Sequence, residues 1–316
     1  MNSCQSSFKE ILIGSGQGTV LAPTLYVIYT NDIFDLDLFG TMQLYADDCV
    51  CTYSADNFTQ LQLRMSSDAD KLYNWFTSNK LTMNISKTQF IIYYQRNTNV
   101  SNIFNNLNFA GNNISRVDSY KYLGLYINTT LNFSSHIDYI KNKIKPYIAI
   151  LNRCKRILPT PDLKKIYFAF IHSNITYMLP IYSAAPDSKL NEIYMLQKKA
   201  VKHVFKLHWD HPSSTIFRDN IVPFHELTTI ESCTLFFKIK NNLVKNDFNL
   251  NTRSTVSNIT TRQHSLHSNP FTYREFILKS FFFKVPNIFD NLPLPIKNES
   301  NFEKFKTLLK ENFTNI

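Results

Sequence analysis

The sequence predicts an α+β domain followed by an all-α bundle, and three observations lead there. Up to residue 131, short β-type runs are interleaved with one long helical spacing, whereas from Asn132 onward only the helical spacing persists. The charge also changes sign along the chain. Residues 1–70 hold two basic residues, Lys9 and Arg64, against nine acidic ones; Lys141 to Lys206 hold thirteen Lys and Arg against Asp162, Asp187 and Glu192. The second segment equals the whole net charge of +10, and an acidic pole followed by a basic one suits a cation site beside a polyanion-binding surface. A lysine-rich, solvated helical bundle is the plainer reading of the same charges.

The first part opens on a glycine cluster. Three of the six glycines of the chain, Gly14, Gly16 and Gly18, fall within five residues, so that loop needs backbone freedom the rest does not. Val20 to Tyr29 then reads as a buried apolar helix broken near Pro23. Leu44 to Cys51 places Asp47 and Asp48 between two short apolar runs, the pattern of a hairpin with acids at its tip. Asn57 to Asn79 carries Phe58, Leu61, Met65, Ala69, Leu72, Trp75 and Phe76 at helical spacing, with Asp and Arg expected on the opposite face. Phe90 to Tyr94 reads as a buried strand and Tyr120 to Ile127 as part of a further hairpin.

The second part is expected at 132–248. Ile137, Ile140, Ile144, Ile148 and Leu151 mark one helix, Leu163, Ile166, Tyr167 and Phe170 a second, and Asp187 to Lys206 a third. Lys198, Lys202 and Lys206 recur every fourth residue on that third helix, a stripe about 12 Å long that matches a few phosphates of a backbone. The aromatic residues Tyr147, Tyr167, Phe168, Tyr182 and Tyr194 read as core rather than as stacking platforms. Residues 249–269, rich in Ser, Thr, Asn and His, read as a linker, and 270–316 as a helical tail ending in Phe302 to Phe313.

Five scattered cysteines without a CxxC argue against a disulfide framework or a zinc site, so a reducing, intracellular compartment is expected, cytoplasm or nucleus. The most apolar stretch is about half the length a bilayer requires, and no membrane partner is expected. His203, His208 and His211 lack a partner at ligand spacing and read as structural or solvent-facing.

Two adjacent carboxylates at a hairpin tip have two readings: a solvated turn, or part of a two-metal site that transfers a phosphoryl group to a 3′-hydroxyl. Order and spacing favour the second. Gly14 to Pro23 (GSGQGTVLAP), Tyr29 to Ile33 (YTNDI), Tyr45 to Asp48 (YADD), Trp75 to Lys87 (WFTSNKLTMNISK) and Tyr120 to Gly124 (YKYLG) follow one another in a fixed order. In that order the sequence resembles the reverse transcriptases of non-LTR retrotransposons, jockey-like elements in particular. The resemblance extends through Asn132 to Ile137, Tyr177 to Lys199, Val222 to Leu227 and Asn291 to Pro293.

The resemblance implies a partial palm at 1–131, an antiparallel sheet with packed helices, followed by a thumb-like bundle. It implies that Asp47 and Asp48 bind Mg²⁺ or Mn²⁺ and that Gly14, Gln17 and Gly18, with Tyr45 and Ala46, position template or incoming dNTP. Lys87 would protonate departing pyrophosphate, or else is an ordinary strand-edge lysine. Tyr122, Leu123 and Gly124 would grip the primer, and Lys198, Lys202 and Lys206 would hold the duplex by its phosphates. The implied partners are an RNA template, a DNA primer and dNTP.

The pattern is departed from in three places: Gly16 stands where the family has Pro, Ala22 where it has Gly, and none of the residues before Gly14 is the Asp of the family's first catalytic strand. The metal site is therefore expected to be incomplete and this chain alone inactive. The expected function is a fragment of an RNA-directed DNA polymerase. The alternatives are a catalytically dead nucleic-acid-binding remnant and a product without a role, whose uncovered core would aggregate.

Overall fold

The computed structural model describes Gly14, Gly16 and residues 18–94, 103–245 and 280–314. The chain divides after Asp118 into two compact units, earlier than the division at 131/132 expected from sequence pattern. The class is α+β, and among the described residues the strands pair as three separate antiparallel hairpins rather than as one sheet. The stretch 249–269, expected as a linker, lies outside the described residues.

The first unit starts with helix α1 (Ala22–Tyr29), followed by a 3₁₀ turn (Asn31–Asp35). Pro23 does not break α1 but begins it, because the first helical turn needs no amide proton from that position. Nor is α1 buried, as the run of apolar residues suggested. Val27 is 62% exposed and Ile28 67%, and Val20, just before the helix, is 92% exposed. Strands β1 (Thr41–Tyr45) and β2 (Asp48–Thr52) form the first hairpin, and helix α2 (Phe58–Ser78) follows it. The Asn57 side chain caps α2 by accepting the Gln60 amide at 2.8 Å. Ala69, Leu72 and Trp75 of α2 pack with Ile33, Ile92, Leu107, Phe109 and Ile114 into the core of this unit.

Asp68 departs from the amphipathic pattern. It is fully buried, not on the polar face, and accepts the Gly40 amide at 2.9 Å, which ties the entrance of β1 to α2. Phe90 to Tyr94 is likewise not a strand. Phe90 and Ile92 are buried, but the segment shares only an isolated bridge between Phe90 and Arg116, so apolar burial is met without a ladder. The hairpin β3 (Asn106–Phe109) and β4 (Asn112–Ser115) completes the unit.

The second unit begins with the hairpin β5 (Ser119–Tyr122) and β6 (Leu125–Asn128), joined through Leu123 and Gly124. Both connecting residues have positive φ, 44° and 81°, as a two-residue turn matched to the twist of the strands requires. Helix α3 (Ser134–Cys154) buries Ile137, Ile140, Ile144, Ile148 and Leu151, the spacing read from sequence. Each such side chain contributes about 1.5–3 kcal/mol on removal from water. Helix α4 (Thr160–Tyr167) runs through a π turn (Phe168–His172) into α5 (Ser173–Thr176) and α6 (Leu179–Tyr182). Helix α7 (Asp187–Val204) packs on α3 and α4, and α8 (Phe224–Lys240) lies beside it. Helices α9 (Phe281–Asp290), α10 (Leu294–Lys297) and α11 (Phe302–Thr314) close over α8, where Phe237 and Phe305 stack with ring centroids 4.2 Å apart. Tyr167 and Tyr182 are fully buried, while Tyr147, Phe168 and Tyr194 pack half-buried against the same core.

Candidate functional site

The Asp47–Asp48 pair stands where the β1–β2 hairpin turns. Strand register pairs Tyr45 with Asp48, so Ala46 and Asp47 form a two-residue loop, and Ala46 takes a left-handed φ of 52° to close it. Both aspartates are exposed, as are Tyr45 and Ala46. Tyr26 of α1 faces this tip. Burial first, and then the charge of Asp47 and the Cys49 thiol, raise its phenol above the ordinary range. The hairpin is set from behind by Gly40, which stands against the Tyr53 ring; that phenol, desolvated and facing the Cys51 thiol and the Asp68 carboxylate, is held well above its usual value.

In the glycine loop Gly14 and Gly18 have φ of 89° and 81°, the freedom that the glycine clustering pointed to, while Gln17 lies outside the described residues. Lys87 closes a 3₁₀ turn (Ile85–Lys87) capped by Asn84, is exposed, and makes no hydrogen bond or ion pair through its ammonium among the described residues. A two-metal site needs more oxygen ligands than two neighbouring carboxylates supply. Among the described residues no group of three or more His, Cys, Asp or Glu surrounds one point. Among the described residues the carboxylate donors do not by themselves fit a complete two-metal centre.

In the second unit, Tyr177 holds the β5–β6 turn: its hydroxyl donates to the Leu123 carbonyl at 2.6 Å, and its ring passes so close that a Cβ on Gly124 would lie 3.1 Å from it. Sequence reasoning quoted Tyr177 only as part of a similar stretch; its buttressing role appears once the helices bring it back to the hairpin. The lysine stripe is shorter than expected. Lys198 lies over the Tyr194 ring at 4.5 Å and Lys202 donates to the Trp209 carbonyl at 2.6 Å. Lys206 follows the end of α7 in a left-handed conformation, φ 56°, and is not on the helix.

Comparison with known proteins bears on both units. The sequence profile of the family described as "Reverse transcriptase (RNA-dependent DNA polymerase)" matches residues 2–127. The chain is 25% identical over 218 residues to the RNA-directed DNA polymerase from mobile element jockey of Drosophila funebris, a match that covers 66% of this chain and 23% of that protein. It is 26% identical over 231 residues to the jockey polymerase of Drosophila melanogaster, covering 69% of the chain and 25% of the relative. The probable polymerase from transposon X-element of the same fly is 24% identical over 234 residues, covering 69% and 24%. The chain thus spans about a quarter of the length of these relatives. No solved structure matches it significantly.

Proposed function

We propose, from the premise that residues 2–127 belong to the reverse transcriptase family and that the chain is a relative of the polymerases of non-LTR mobile elements, that this protein is part of an RNA-directed DNA polymerase. One observation carries the reading: the matched segment includes the hairpin whose tip exposes Asp47 and Asp48. In this reading the two aspartates would hold Mg²⁺ or Mn²⁺, which in a complete centre activates the attacking 3′-oxygen. Gly14, Gln17 and Gly18 bound the template or dNTP site beside Tyr45 and Ala46, and Lys87 serves the triphosphate. Tyr122, Leu123 and Gly124 contact the primer. Lys198, Lys202 and Lys206, with the other cations of the second unit, hold the phosphates of the RNA template–DNA primer duplex without reading its sequence.

A second reading, binding without synthesis, is favoured by the donor set among the described residues, because two carboxylates leave a metal pair short of ligands. Primer extension on poly(rA)/oligo(dT) with Mg²⁺ or Mn²⁺, beside the Asp47→Ala, Asp48→Ala double variant, separates the two. The expected result is no extension by either protein, with duplex binding in both that weakens steeply as salt rises. Extension that vanishes in the variant would show that the two aspartates suffice. Absence of duplex binding at low salt would remove both readings.

A further inference from the structure

Strand β2 contains Cys49 and Cys51, and because side chains alternate along a strand the two thiols lie on one face of the β1–β2 hairpin. The register places Met42 of β1 opposite Cys51 and Leu44 opposite Cys49, so Met42 shares that face and stands diagonal to Cys49. Three sulfurs meet there. The Cys49 thiol donates to Met42 Sδ at 3.6 Å, and the Cys49 and Cys51 thiols interact directly. Tyr53, two residues further along the strand direction, hydrogen-bonds Cys51 through its hydroxyl. Met42 and Cys51 pack against the core of the unit while Cys49 is exposed, so the cluster is held on one side and open to solvent on the other.

Packing alone does not ask for this arrangement. A cysteine that only fills space is buried, as Cys233 is in the second unit, whereas Cys49 turns an exposed thiol onto a thioether. Thiolate and thioether donors together select soft ions, Cu(I) above all; structural zinc takes four ligands from cysteine, histidine and carboxylates, and a thioether is not among them. The spacing agrees. A metal–sulfur bond of about 2.3 Å sets the sulfurs of a three-coordinate site about 4 Å apart. The 3.6 Å between Met42 and Cys49 opens to that by rotation of the flexible Met42 side chain. The surrounding charge draws cations, with Asp47 and Asp48 just before Cys49 and two basic residues against nine acidic ones in 1–70. We infer that Met42 Sδ, Cys49 Sγ and Cys51 Sγ form a three-sulfur site for a single Cu(I) ion. On binding, both thiols pass their protons to solvent and the ion keeps its oxidation state. The bound ion ties β1 to β2 behind the turn that presents Asp47 and Asp48, and the site stands whether or not the chain belongs to a polymerase.

The test uses the full chain, reduced and under argon, titrated with Cu(I) as its acetonitrile complex in competition with the chromophoric chelator bicinchoninate. The chain is expected to withdraw a single Cu(I) from the chelator with an ultraviolet thiolate-to-copper band, and X-ray absorption to show three sulfur neighbours at about 2.3 Å. The Cys49→Ser, Cys51→Ser double variant is expected to lose about a hundredfold or more in affinity, at least as much as the loss of a residue that only supports a ligand. Met42→Leu conserves volume and so keeps the fold, and it is expected to lose about tenfold in affinity together with one sulfur neighbour. Cys4→Ser, Cys154→Ser, which leaves the cluster intact, should bind like the parent chain. Circular dichroism melting checks that each variant is folded. Failure of the parent chain to withdraw copper from the chelator overturns the proposal, and so does unchanged affinity in the folded double variant. Unchanged affinity and sulfur count in Met42→Leu overturn it as well, because the thioether would then be no ligand.

Discussion

Gly40 was not among the glycines that the sequence singled out, yet it carries the sharpest steric constraint in the first unit. A Cβ there would lie 2.5 Å from the Tyr53 ring. Gly40→Ala must displace that ring or the entrance of β1, and the expected loss is about 1–3 kcal/mol, as for other overpacked sites. Thermal unfolding checks it, with Gly40→Ala, Tyr53→Leu expected to recover part of the loss; an unchanged melting temperature in the single variant would refute the steric account. Residues 47 and 48 were legible because a turn's chemistry is local. Gly40 and Asp68 were not, because their roles arise from a contact spanning 28 residues, and a buried aspartate at helical spacing looks like any surface acid.

Among the elements, α3 was legible because it has one apolar face and one wet face. Helix α8 went unread for the opposite reason. It buries Phe224, Leu227, Ile230, Cys233, Phe236, Phe237 and Ile239 together with Ser232 and Thr234, so apolar residues occur around its whole circumference and no period emerges. The helices of the second unit also make it acid-sensitive. His136 on α3, His172 in the π turn and His203 on α7 are each held down to about 4 by burial, with Lys310 and Lys155 adding repulsion at the latter two. Below the ordinary histidine value near 6.5 the unfolded chain takes up protons that the native one refuses until about pH 4. Stability is therefore full above that upper value and declines as pH falls through the window, by about 1.4 kcal/mol per pH unit for each fully shifted group. Screening reduces the share of the half-buried His203. Urea unfolding from pH 7.5 to 4 checks this, and His136→Asn is expected to flatten the slope. A slope unchanged in that variant would exclude His136 as a source.

At the scale of the whole molecule, the order of an α+β unit before a helical one was readable from periodicity and charge, whereas the exposure of α1 was not. Apolar composition reports what a segment would bury, not whether a covering element is at hand. With Leu25, Val27 and Ile28 exposed on α1 and Val20 and Leu21 exposed just before it, this segment presents apolar side chains to solvent. The chain is expected to self-associate and to enhance the fluorescence of an apolar dye. Val27→Lys with Ile28→Glu should suppress both while changing stability by no more than about 0.5 kcal/mol. Light scattering and urea titration test this, and a parent chain that stays monomeric without binding dye would contradict it.

The bond from Tyr177 to Leu123 carries a consequence in time as well as in space. Both residues of the β5–β6 turn have left-handed backbones, and one of them is a leucine, for which that conformation is uphill. The group that fixes the turn arrives 54 residues later in the chain. During synthesis the hairpin therefore emerges before its clamp exists, and the Leu123 carbonyl meets its hydroxyl partner only when the segment bearing Tyr177 has been made and folded back.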